Sequence, residues 1–203
     1  MEIIIDNAVF WILGIVIVAG VLFTLRDKLR GMLRGRPVPD NLKPGQSLPD
    51  FQAVDEDGNR VSSAELAGTP VILLFVRGSW CPFCSKQVAN LTKVYKEITD
   101  SGAKLILITP KPLATTRRVA EIFEVDFEFW LDDSLKIATQ LGLVLEAGVP
   151  DDQRKEYGED TLWPTSLVVD SNGIIRFTEL SRFIADRPSP EKLLKVLRNL
   201  QAN

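Results

Sequence analysis

The distribution of apolar and polar positions divides the chain in two. Ala8 to Leu25 reads AVFWILGIVIVAGVLFTL, 18 residues without a charge. That is the lower edge of what a helix needs to cross a bilayer, and no amphipathic face interrupts it. A linker marked by Pro37, Pro39 and Pro44-Gly45 follows. From there the pattern alternates between short strands and helices. Phe51–Val54 and Arg60–Ser62 flank Asp57-Gly58, a hairpin signal. Val71–Val76 is apolar at every position, as in a strand buried on both faces. Pro82 to about Thr99 carries Val88, Leu91, Val94, Tyr95 and Ile98 at helical spacing and predicts one helix, closed by Ser101-Gly102.

Further on, Leu105–Thr109 predicts a second buried strand and Leu113–Phe123 a helix. Phe127–Leu131 predicts a short strand, and Ser134 caps a helix running to Leu141. Leu167–Asp170 and Ile174–Thr178 pair across Ser171-Asn172-Gly173, and Pro190 opens a last helix to about Leu200. Residues 143–162 fit no element. The expected fold class is α/β: a central mixed sheet with helices on both faces, over residues 45–203, preceded by one transmembrane helix. The organisation is a tail at 1–7, the span at 8–25, a collar and linker at 26–44, and the folded domain.

Charge adds an orientation. Arg26, Lys28, Arg30, Arg34 and Arg36 follow the span, and no Lys or Arg precedes it. The remainder of the chain holds 24 acids against 19 bases, which does not suit a nucleic-acid binder. The bias of basic residues places the domain on the cytoplasmic side of the membrane, with a periplasmic domain as the alternative. A cleaved signal peptide would need a basic start, whereas Glu2 and Asp6 are acidic. The bilayer is thus one expected partner, through residues 8–25.

Composition narrows the chemistry. The 203 residues include no histidine and only two cysteines. Catalysis through a histidine base and a closed zinc site both lack their ligands. No cofactor is implied. The cysteines stand as Cys81-Pro82-Phe83-Cys84, between an apolar strand and a helix. At a helix N-terminus unpaired N–H groups and the helix dipole favour an anion, so Cys81 is expected to be an exposed, partly ionised nucleophile. Pro82 suits the first helical position. Cys84, one turn on, can resolve a mixed disulfide. Trp80 would shield the site. Arg77 either stabilises a thiolate or pairs with a surface acid at the strand end.

Several of these residues resemble the redoxins, which include the alkyl hydroperoxide reductase and thiol-specific antioxidant (AhpC/TSA) superfamily. They are Pro49-Asp50-Phe51, Asp57-Gly58, Gly68, Val71–Val76, and Arg77-Gly78-Ser79-Trp80-Cys81-Pro82-Phe83-Cys84, with Trp163-Pro164-Thr165 leading into Ser166–Asp170 and Gly173. The resemblance implies a thioredoxin-like fold, with Pro164 as a cis-proline beside the dithiol and Thr165 next to it. It also implies a Pro and a Thr or Ser seven and three residues before a peroxide-reducing cysteine. Those positions are Leu74 and Gly78, and the position of a thioredoxin's buried acid is Phe75. On this basis the leading expectation is a membrane-anchored thiol–disulfide oxidoreductase, in which Cys81 attacks and Cys84 resolves. Its partners would be a thiol or disulfide protein or a peroxide, with thioredoxin, glutathione or another dithiol as donor. The alternatives are a peroxiredoxin-type peroxidase and a non-enzymatic redox sensor.

Overall fold

The structure is a computed structural model that describes residues 11–23, 25–26, 37–110, 127–181 and 185–201. The chain divides into two compact units, 1–36 and 37–203. In the first unit residues 11–23 are helical, and their large apolar side chains are exposed. Thirteen helical residues rise about 20 Å, short of a bilayer's ~30 Å core. Among the described residues no helix is long and apolar enough to cross a membrane, so the expected span is not found there. Residues 8–10 and 24 of that span lie outside the described residues.

The second unit is built on a seven-stranded sheet: β1 (Gln52–Asp55), β2 (Arg60–Ser62), β3 (Val71–Phe75), β4 (Lys104–Thr109), β5 (Glu128–Leu131), β8 (Thr165–Val169) and β9 (Ile175–Leu180). Its order is β2-β1-β5-β4-β3-β8-β9. β3 runs parallel to β4 and β4 to β5, while the remaining pairs are antiparallel. This is the expected mixed sheet. β3 lies near its middle, and the alternation of a strand explains its unbroken apolar run. Val71, Leu73 and Phe75 join one core layer, and Ile72 and Leu74 join the other.

The second layer holds the site. It contains Cys81 and Cys84 with Val88 and Leu91 of α1 (Pro82–Thr92) and Leu193, Leu194 and Leu197 of α5 (Pro190–Gln201). The single helix expected from Pro82 to Thr99 is instead two, because α2 starts afresh at Tyr95–Asp100. Val94 between them leaves helical geometry at φ −116°, ψ 7°. Apolar spacing alone does not register such a break, because both helices bury one face against the same layer.

Ser134 is not the cap of the following helix, α3 (Lys136–Gln140). Buried Asp132 takes that role, accepting from the Ile137 and Ala138 N–H groups at 3.0 and 2.8 Å. The expected helix at 113–123 lies outside the described residues. The unassigned stretch 143–162 is a small antiparallel hairpin, β6 (Val144–Leu145) with β7 (Thr161–Leu162), whose long connection contains α4 (Arg154–Tyr157). Thr161 Oγ1 donates to the Arg77 carbonyl at 3.4 Å, which ties the hairpin to the end of β3.

Candidate active site

β3 ends at Phe75, and six residues later the chain enters α1. Cys81 occupies the N-cap with Pro82 as the first helical residue, as the sequence predicts. The exposure does not follow the prediction. Cys81 is 1% exposed and Cys84 3%, and both are free thiols. Val76 and Leu74 below and α1 and α5 beside them enclose the pair, so reactivity here depends on ionisation and on opening rather than on standing exposure.

The two thiols titrate in opposite directions. Cys81 is lowered to about 6, first by the hydrogen bond from the Cys84 thiol and then by the Cys84 backbone N–H, Arg187 and Arg77, against the opposing effect of burial. Cys84 is raised well above the ordinary thiol range by holding its proton toward Cys81, by burial, and by repulsion from the Cys81 anion. The stable arrangement at neutral pH is a Cys81 thiolate accepting from a protonated Cys84.

Two arginines flank the pair. Arg77 is buried rather than paired with a surface acid. Its guanidinium lies 4.4 Å from the Trp80 ring centroid, and its Nη2 donates to the Gly148 carbonyl. Burial lowers the Arg77 pKa, and Cys81 and Cys84 oppose that shift. Its Nε, and the indole Nε1 of Trp80, are buried with no hydrogen-bond partner among the described residues. On the other side Arg187 Nη2 donates to Cys84 Sγ at 3.3 Å and Nη1 to Ser181 Oγ at 3.0 Å. Arg187 had no signal in the sequence, since it lies more than 100 positions from Cys84 in a segment without periodicity.

Gly78 has a structural reason to lack a side chain. Its φ is +122°, and a Cβ there would come within 2.8 Å of Tyr157 Cε1 and 3.1 Å of Trp80 Nε1. The hydroxyl expected by resemblance at this position is replaced by a packed tyrosine and an indole N–H. Tyr157 also crosses Trp80 edge-to-face at 6.2 Å and shares a 2.7 Å hydrogen bond with Ser79 Oγ. It comes from the stretch that the sequence left unassigned.

The remaining expected residues are placed as follows. Pro164 is buried, but the described residues contain no cis peptide bond, which corrects that expectation. Its carbonyl accepts from Ser181 N at 2.9 Å and so connects through Ser181 to Arg187. Thr165 pairs with Phe75 across β3 and β8, and its hydroxyl donates to the Trp163 carbonyl at 3.0 Å. Beside it, Ser166 Oγ accepts from buried Gln87 at 3.3 Å. Phe83 is 39% exposed and separates two cavities. One, of about 470 Å³, is lined by Arg77, Trp80, Cys81 and the 147–151 segment. The other, of about 630 Å³, runs between α1 and residues 185–191 and includes Arg187. Among the described residues no cluster of acids and cysteines could hold a metal ion.

A thiolate at a helix start, a partner thiol on the next turn and a sheet of this order are the features to set against known proteins. The AhpC/TSA family profile matches residues 44–178. The chain belongs to the AhpC/TSA family. It is therefore a thiol-dependent oxidoreductase. A chloroplastic peroxiredoxin Q of Oryza sativa subsp. japonica is 25% identical over 167 residues, covering 82% of this AhpC/TSA chain and 72% of the rice protein. The wheat (Triticum aestivum) peroxiredoxin Q is 27% identical, with 77% and 67% covered. Among solved structures, the peroxidoxin BcpB of Mycobacterium tuberculosis superposes with a TM-score of 0.62 at 23% identity, covering 79% of this chain and 97% of that one. A PrxQ variant of Xylella fastidiosa superposes at 0.61 and 10% identity, covering 79% and 96%. These likenesses support the thioredoxin-like fold.

Proposed function

We propose that this protein is a thiol peroxidase of the peroxiredoxin type, with Cys81 as the peroxide-attacking residue and Cys84 as the resolving one. The observation that carries the reading is the placement of Cys81 at the N-cap of α1, lining a cavity with Arg77 and Trp80, with Cys84 on the next turn against Arg187; the lowered Cys81 and raised Cys84 pKa agree with it. The relatives named peroxiredoxin Q support it. In the first step Cys81 S⁻ attacks the terminal oxygen of ROOH. The S–O bond forms, the O–O bond breaks, and RO⁻ leaves to take a proton from solvent. The sulfenic acid on Cys81 then condenses with the Cys84 thiol, giving the disulfide and water. Arg77 and Trp80 line the cavity that contains Cys81, and their Nε–H and Nε1–H, buried without a hydrogen-bond partner among the described residues, are the donors nearest to hand for the peroxide oxygens. Phe83 lines the cavity beside them, Pro164 connects to Arg187 through Ser181, and Thr165 pairs with Phe75, whose side chain belongs to the other core layer.

This order of readings reverses the one expected from the dithiol spacing, in which disulfide exchange led. The test is a side-by-side assay of hydroperoxide consumption and insulin-disulfide reduction with the full chain. Faster hydroperoxide consumption is expected, and turnover of insulin alone would restore the disulfide reading. We also propose that the exposed apolar residues of 11–23 attach the protein to a bilayer with its domain on the cytoplasmic side. A C-terminal alkaline phosphatase fusion that is active would contradict that side, and recovery of the full chain only in the soluble fraction would contradict the attachment.

A further inference from the structure

Every turnover of the proposed peroxidase leaves a Cys81–Cys84 disulfide that an external thiol must reduce, and the two cavities bear on where that happens. An incoming thiolate, the sulfur it attacks and the sulfur it expels lie in line. A donor attacking Cys84 therefore approaches from the side away from Cys81. The 470 Å³ cavity contains Cys81 and not Cys84. The 630 Å³ groove contains neither sulfur, but it is lined by Arg187, whose guanidinium touches Cys84 Sγ at 3.3 Å. Phe83 stands between the two. Along the groove, Lys86 and Asn90 on one face of α1 and Lys93 at its C-cap follow one another, opposite Arg187 and Glu191. Three cations against one anion make the described lining basic, and the groove is large enough for a tripeptide-sized molecule.

We propose that this groove is the docking site for a small thiol rich in carboxylates, which reduces the disulfide by attacking Cys84 from the side opposite the peroxide cavity. The inference rests on the peroxidase reading above for its biological use, but its chemistry can be examined without peroxide. A donor thiolate RS⁻ forms a bond to Cys84 Sγ, the Cys81–Cys84 bond breaks, and Cys81 leaves as the thiolate. A second RS⁻ attacks the donor's own sulfur in RS–S–Cys84 and releases RSSR. Cys84 then takes a proton from solvent. Two electrons pass from two thiols to one disulfide. Cys81, the more acidic thiol of the pair, is the better leaving group, which favours attack at Cys84 over attack at Cys81. Arg187 is positioned to hold the incoming anionic sulfur as it now holds Cys84.

The experiment uses the full chain oxidised to the disulfide with diamide, so that it does not depend on any peroxidase activity. Reduction is followed with glutathione and with uncharged 2-mercaptoethanol. In the double variant Lys86→Gln/Lys93→Gln the glutathione rate constant is expected to fall about fivefold, as for the loss of two exposed charge contacts. The 2-mercaptoethanol rate should change by less than about twofold, and Lys195→Gln, an exposed lysine outside the groove, should alter neither. Added salt should slow glutathione more than 2-mercaptoethanol. Rapid acid quenching and peptide mass spectrometry should find the glutathione adduct on Cys84. An equal fall for both thiols, no fall with glutathione, an adduct on Cys81, or reduction by thioredoxin with glutathione inert would each overturn the proposal. Failure of the hydroperoxide assay above, with this pattern intact, would overturn only the peroxidase reading.

Discussion

The two sides of the Cys81–Cys84 turn differ in what they offer sulfur. On the Cys81 side the 143–162 hairpin contributes Tyr157 and the Gly148 carbonyl. There Arg77 is stacked on Trp80 and keeps one N–H without a partner among the described residues. On the Cys84 side the segment after β9 brings Arg187, already bonded to the sulfur and to Ser181. Both thiols are almost fully buried, so burial does not distinguish them. What does is the direction of one hydrogen bond, from the Cys84 thiol to Cys81, and the repulsion that the Cys81 anion then exerts on Cys84. The comparison teaches that a dithiol can be asymmetric in acidity while symmetric in exposure; in the proposed cycle that asymmetry is used to put the oxidant on one side and the reductant on the other.

The largest expected effect breaks the comparison outright. Cys81→Ser removes the anion, and hydroperoxide consumption should fall by more than about 10³-fold. A Cys84→Ser chain should still react with one equivalent and then stop. Next, Arg77→Met removes the unpaired donor and should slow the oxidation step by about 10²-fold in stopped-flow measurements. Arg77→Lys keeps a charge but loses the Nε–H, so it should recover only part of that loss. Gly78→Ala tests the packing that replaced a hydroxyl. With φ at +122° and Tyr157 at 2.8 Å, it should destabilise the fold by roughly 2–3 kcal/mol in denaturant unfolding, and Tyr157→Ala should relieve the clash but not the backbone strain.

Acidity gives a signed effect. The folded-state pKa of Cys81 lies below that of an ordinary thiol, so its contribution to stability is present above the ordinary pKa of 9.0 and lost as pH falls through about 6. The raised Cys84 contributes stability below 9.0 that is lost at higher pH. The reduced protein should therefore gain stability from pH 6 to 9 and lose it beyond, and the gain should vanish in Cys81→Ser. The smallest effect expected is that of Asp132→Asn, about 1 kcal/mol, because one of the two N–H groups that cap α3 loses its acceptor.

Local rules made one half of this site legible. An apolar run, then Cys81-Pro82, then helical spacing, fixes a strand, a turn and an N-cap, because each signal lies within a few residues of its effect. The mixed sheet followed from the same alternation. Residues that arrive from far along the chain left no such signal. Tyr157 and Gly148 sit in a segment whose two short strands, each of two residues, show no period. Arg187 has no periodic pattern around it in the sequence, and its partner Cys84 lies 103 positions away. The break at Val94 and the capping by Asp132 rather than Ser134 were hidden for a related reason: apolar spacing continues through a kink, and a cap can be supplied from three residues earlier. The expected exposure of Cys81 failed because the helix start is covered by elements that its own sequence does not describe.

The central claim is that Cys81 is an ionised nucleophile that transfers oxygen from a hydroperoxide to its own sulfur. Its most direct test is to treat the full-length Cys84→Ser chain with one equivalent of an alkyl hydroperoxide in the presence of dimedone and to locate the adduct by mass spectrometry. One dimedone on Cys81 per chain is the predicted result, and in the unsubstituted chain, where the Cys84 thiol holds the thiolate, the rate of oxidation should rise through about pH 6 and be level above it. A chain that remains unmodified while the hydroperoxide persists, or a profile that rises only near the ordinary thiol pKa of 9.0, would contradict it.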